Sequence, residues 1–113
     1  MPELGTTAMH PVFARQLDSL ANRDLDGLID NYTPDATLIR FDGVATGIDE
    51  VRDALTGYLS VRPELVELTD YVDSGDTIFY RARMKLNGQP ENAFGTLVIR
   101  DNKIWRQTAG FGT

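Results

Sequence analysis

The hydrophobic pattern turns from mostly helical to strand-like for the rest of the chain at Arg62-Pro63, and that change constrains the fold more than any other feature of the chain. Before it, apolar residues recur every three or four positions. Met9, Phe13, Leu17 and Leu20 form one such face, and Leu25, Leu28, Ile29 and Tyr32 a second. Val51, Ala54, Leu55, Tyr58 and Leu59 form a third. Each is the buried stripe of a helix. After Pro63 the chain reads as strands over Leu65–Val72, Thr77–Leu86, Ala93–Arg100 and Lys103–Phe111. Asp73-Ser74-Gly75-Asp76, Asn87-Gly88 and Asp101-Asn102 separate them. Asn-Gly between alternating strands favours a two-residue hairpin, because both residues tolerate positive φ. Helices followed by a strand meander make an α+β layout.

Local signals set the boundaries. The first helix is expected from a Thr7 cap to Ala21, with Pro11 in its first turn and residues 1–6 as a loose leader. Asn22-Arg23 is a break, and Asp24 caps a second helix. Thr33-Pro34-Asp35 ends it, because the residue before a proline is pushed out of the helical region. Ala36–Phe41 is a strand by its β-branched content. Asp42-Gly43 and Thr46-Gly47 are turns, and a third helix is expected over Asp49–Val61. At 113 residues the chain is read as one domain, 1–113.

Composition excludes several functions. There is no cysteine, so disulfides and thiolate chemistry are out. One histidine cannot make a multi-His metal site. A net charge of −6 without a basic run disfavours nucleic acid, which needs counter-charge for its phosphates. No apolar run reaches the roughly 20 residues that cross a bilayer. The first residues lack the basic start and apolar core of a signal peptide, so a cytoplasmic location is expected. No phosphate-binding glycine loop, Ser-His-Asp set or metal-ligand spacing occurs, and no cofactor or metal is expected.

Several short motifs stand in a recognisable order. They are Asp24-Leu25-Asp26-Gly27, a Tyr32-x-x-Asp35-Ala36-x-Leu38 entry to the first strand, Gly47-Ile48-Asp49, Val66-Glu67-Leu68-Thr69 and Asn102-Lys103-Ile104. In this order the chain resembles the nuclear transport factor 2-like superfamily, which includes SnoaL-like cyclases and ketosteroid isomerases. The resemblance implies a cystatin-like cone, with three N-terminal helices packed in a strongly curved, mostly antiparallel sheet. It implies a deep apolar pocket, and a homodimer formed through the outer sheet face, where Phe79, Leu86 and Val98 would lie.

Aligned to that superfamily, the inward residues include Ala36, Leu38, Arg40, Tyr80, Ala82, Met84, Gly95, Leu97 and Ile99. Trp105, Gln107, Ala109 and Phe111 are assigned inward on the last strand. The candidate ligand-binding residues are Gln16, Tyr32, Arg40, Tyr58, Tyr80, Trp105 and Gln107. Ketosteroid isomerases use an Asp base and an oxyanion hole made by a Tyr and a protonated Asp. Those positions fall here on Arg40, Gln16 and Gly95. Arginine stays protonated and glycine offers no side chain, so steroid isomerisation by that mechanism is not expected. Asp42 is a substitute base or simply a turn residue, and His10 a base or a surface residue. Arg40 either binds an anionic oxygen of a ligand or pairs with Asp42 at the rim. The function implied is that of a SnoaL-like pocket protein for a small hydrophobic molecule. It is an isomerase- or cyclase-type enzyme on a polyketide- or steroid-like compound, or else a non-catalytic binder or dimeric interaction module. No catalytic residue is assigned.

Overall fold

A computed structural model describes residues 9–112. The expected leader over residues 1–6 and the Thr7 cap lie outside them. The first helix, α1, spans Pro11–Ala21. His10 caps it, its Nδ1 accepting from the Val12 N–H at 3.1 Å, and Pro11 sits where no intrahelical N–H is needed. Arg23 then takes a left-handed φ of 53°, and Asp24 caps α2, Leu25–Asp30, by accepting from Gly27 N–H at 3.0 Å. The strand β1 is longer than expected, Tyr32–Arg40, and runs straight through Pro34. Its register against the neighbouring strand is irregular between Tyr32 and Thr37, so the missing proline N–H falls where the ladder is already interrupted.

The two turn signals after Arg40 enclose a short strand, β2, over Gly43–Thr46, which pairs antiparallel with β1. Gly47, at φ 85°, opens α3, Ile48–Ser60, and its N–H donates to the Ala36 carbonyl at 2.8 Å. That bond ties the start of α3 to the middle of β1. The meander follows as β3 Glu64–Asp73, β4 Thr77–Leu86, β5 Gln89–Arg100 and β6 Lys103–Gly112. Asn87 and Gly88 both have positive φ, as do Asp101 and Asn102, so both late turns are the tight hairpins their residues favour.

The six strands form one mixed sheet in the order β2-β1-β6-β5-β4-β3. Here the expected cystatin-like cone is corrected. The sheet is open, neither strongly curved nor closed, with β2 and β3 at opposite edges. Four of its five strand pairings are antiparallel, and β1 and β6 run parallel. The reason is the strand count. Four meander strands return β6 beside β1 in the same direction, and a four-residue β2 is too short to wrap back. The shortest dimension is 24 Å, about one helix layer on one sheet. Val12, Phe13, Leu28, Val51 and Leu55 from the helices meet Ala36, Leu38, Ile78, Leu97 and Ile104 from the sheet, and this is the core. No helix among the described residues is long and apolar enough to cross a membrane.

Candidate functional site

The core is not filled. Between α1, α3 and the inner face of the sheet lies a cavity of about 110 Å3, walled mainly by Leu17, Leu38, Leu55, Met84, Leu97 and Ala109. Strand alternation puts Tyr80, Ala82 and Met84 on this face, as the sequence implies, while Arg81, Arg83 and Lys85 point outward. Leu65 and Phe111 are the most exposed lining residues and mark the mouth.

Of the seven candidate side chains, Gln16, Arg40, Tyr58, Tyr80 and Gln107 line the cavity. Tyr32 is buried beside it and joins two of them. Its hydroxyl accepts from Gln16 Nε2 at 3.0 Å and donates to Gln107 Oε1. Trp105 lies elsewhere. The register of β5 on β6 steps from Val98–Arg106 to Ile99–Ile104, leaving Trp105 unpaired in a bulge. Strict alternation from Gln107 would turn Trp105 inward, but the bulge gives that place to Ile104, which is fully buried. The Trp105 ring is instead held between the Arg100 and Arg106 guanidiniums, 4.7 and 4.5 Å from its centroid.

Arg40 sits at the rim. Its side chain is 33% exposed, and Nε lies 3.5 Å from Asp42 Oδ1. Asp42 is itself outward, 75% exposed, and does not line the cavity. His10 caps α1, and its backbone N–H donates to Tyr71 Oη at 2.7 Å; it does not face the cavity.

Two residues that the sequence did not single out support the polar side. Asn31, buried between α2 and β1, donates from Nδ2 to the Val12 carbonyl at 2.9 Å and to Gln16 Oε1 at 3.1 Å. Arg15 Nε donates to Asn31 Oδ1 at 3.0 Å. These partners are 15 to 19 residues apart, so no local motif announces them. Gly95 is the third. A Cβ there would stand 2.8 Å from Tyr80 Oη and 2.4 Å from the Thr108 carbonyl. The missing side chain is what lets the Tyr80 hydroxyl reach over β5.

The electrostatics follow from burial. Desolvation raises the Tyr32, Tyr58 and Tyr80 hydroxyls above the ordinary phenol range. The bond from Gln16 opposes this at Tyr32, and that from Gln107 opposes it at Tyr80. All three stay protonated at neutral pH and act as donors, not bases. No described lining residue is a carboxylate or a histidine. Among the described residues no three His, Asp or Glu side chains converge as a metal site would need.

A sequence model of the SnoaL-like domain matches residues 13–107. The chain belongs to the SnoaL-like family. Among solved structures, this SnoaL-like chain is similar to a polyketide cyclase candidate, SMa1630 from Sinorhizobium meliloti. The TM-score is 0.79 at 18% identity, over 90% of this chain and 95% of that one. A ketosteroid isomerase candidate from Kribbella flavida gives 0.80 at 14%, over 92% and 77%. TerC, co-crystallised with polyporic acid, gives 0.77 at 16%, over 89% and 88%. At these identities the likeness is one of fold. No curated protein matches the sequence.

Proposed function

We propose that this SnoaL-like domain binds a compact, mostly apolar molecule bearing an oxygen substituent, and that it acts as a binding protein. One observation carries the proposal. Among the described residues, the cavity combines an apolar wall with neutral hydrogen-bonding groups, Gln16, Gln107, Tyr58 and Tyr80, and with no group that can abstract a proton. Ligand sites commonly join an apolar wall to a few placed polar groups, whereas proton-transfer catalysis needs a base with a suitable pKa. Size narrows the ligand further. A cavity of about 150 Å3 accepts benzene, so the 110 Å3 here suits one ring, with slight yielding of Met84 and the leucines. A polyketide- or steroid-sized polycycle enters only if Tyr58, Leu65 and Phe111 move aside.

An enzymatic reading keeps one support. Buried neutral tyrosines can stabilise a developing oxyanion without themselves titrating, so an isomerase or cyclase whose substrate supplies its own base would use the same cavity. Dimerisation through the outer sheet face is part of the same proposal, supported by exposed Ile39, Val44, Val72 and Phe79.

The test is an amide-shift titration with small aromatic compounds against wild type and Ala82→Phe. Ala82 is buried and lines the cavity, so a phenyl ring there fills it. A Kd of about 1 mM for an eight-atom ligand is roughly −4 kcal/mol, within the range for fragments. Saturable shifts at lining residues, lost in Ala82→Phe, are expected. Shifts scattered over the surface, or unchanged in the variant, would refute the proposal.

A further inference from the structure

The polar side chains beside the cavity form a chain whose direction is fixed from one end. A guanidinium only donates, so the Asn31 atom facing Arg15 Nε at 3.0 Å must be the oxygen. The Val12 carbonyl, which only accepts, faces the other Asn31 atom at 2.9 Å and demands the same orientation. Asn31 Nδ2 therefore donates to Gln16, which must present Oε1 to it at 3.1 Å. That turns Gln16 Nε2 toward Tyr32, where it donates to the hydroxyl at 3.0 Å. Tyr32 has one proton and already accepts from Gln16, so its proton goes to Gln107 Oε1. The remaining group of Gln107, its Nε2, is then the one turned toward the Tyr80 hydroxyl, whose pKa it lowers. Each amide orientation follows from the one before it. At the end stands Tyr80 Oη, over Gly95 and at the cavity wall, and its own proton has no partner in the chain.

We infer that the Tyr80 hydroxyl, seated over Gly95 at the cavity wall, is the donor that selects a ligand by its carbonyl oxygen. Its place is built: the absent Cβ of Gly95 leaves the space the hydroxyl fills. Tyr80 borders the open volume, so its free proton is available to a group bound there. A ligand group that only donates would meet a second donor. A carbonyl oxygen, which only accepts, completes the chain. Hydrogen bonds in series polarise one another, and with the Arg15 cation at the far end the Tyr80 proton is the more acidic terminus.

The inference rests on the cavity being the ligand site, and the experiment separates the two. Acetophenone and ethylbenzene share the ring and a two-carbon side chain and differ in the carbonyl. Each is titrated by amide shifts into wild type and Tyr80→Phe. Acetophenone affinity is expected to fall about fivefold in Tyr80→Phe, the worth of one neutral hydrogen bond, while ethylbenzene changes less than about twofold. Equal losses for both would make Tyr80 a packing residue, and no loss for either would remove it from recognition; each overturns the inference and leaves the cavity reading standing. Failure of ethylbenzene and acetophenone alike to bind wild type would overturn both. A readout free of any variant is the carbonyl carbon of 13C-labelled acetophenone. In the wild-type complex it is expected downfield of its position in a hydrocarbon solvent, as donation to its oxygen requires, and a hydrocarbon-like shift would refute the donor.

Discussion

Gly95→Ala should destabilise the protein even though alanine suits a strand better than glycine does. The backbone of Gly95 lies opposite Ala109 on β6 and Tyr80 on β4, both central strands. A Cβ would meet the Thr108 carbonyl at 2.4 Å, Tyr80 Oη at 2.8 Å and Tyr80 Cζ at 3.0 Å. The first contact is with backbone held in a ladder and cannot yield without moving a strand. Overpacking of this kind costs about 1–3 kcal/mol. Against it stands the entropy that alanine removes from the unfolded chain, about 0.4–1 kcal/mol. The net expectation is a loss of about 1.3 kcal/mol, or roughly 5 °C in Tm for a domain of this size. The assay is urea denaturation of wild type, Gly95→Ala, Tyr80→Leu and the double variant. Tyr80→Leu removes the ring contacts but leaves Thr108, so the penalty of the added methyl should shrink in that background without vanishing. A neutral or stabilising Gly95→Ala would refute the claim that the missing side chain seats Tyr80.

Other outcomes follow from the same geometry. Tyr32→Phe should cost about 1–3 kcal/mol in chemical denaturation, because it leaves Gln16 Nε2 and Gln107 Oε1 unpartnered in a buried site; a change below about 0.5 kcal/mol would mean that water replaces the hydroxyl. Stability should hold up to about pH 9.5 and fall beyond pH 10, since unfolded phenols ionise near pH 10 while burial holds the folded ones protonated above it. A guanidinium midpoint unchanged to pH 11 would contradict that sign. Arg40→Met should weaken benzoate by no more than about fivefold and leave benzamide unchanged, because a half-solvated rim charge already paired with Asp42 contributes little; a hundredfold loss would place the guanidinium inside the cavity. Sedimentation at micromolar concentration should give twice the 12.6 kDa chain mass, and a single monomeric species would remove the dimer proposal.

Local chemistry made much of the fold legible. Thr77–Leu86 is bounded as its alternation and the Asn87-Gly88 turn imply, and Tyr80, Ala82 and Met84 face inward by simple parity. What the sequence hid is non-local. A bulge has no compositional mark, so parity counted back from Gln107 puts Trp105 on the wrong face. Pro34 reads as a terminator, yet the irregular β1–β6 register absorbs it. The openness of the sheet depends on which strands end at its edges, and four residues of β2 carry no signal for that. The cavity tyrosines were visible as aromatics at inward positions. Their order in a directed chain was not, because Arg15, Asn31 and Gln107 meet only after α1, α2 and β6 have packed. Gly95 was legible as a missing side chain, while the hydroxyl that fills its space comes from the neighbouring strand.

The most direct test is a crystal structure of the protein soaked with acetophenone. The account requires density for one ring enclosed by Leu17, Leu38, Leu55 and Leu97, with the ketone oxygen about 2.8 Å from Tyr80 Oη. A cavity left empty at saturating ketone, or a ring bound with its oxygen turned to Arg40 at the mouth, would contradict it.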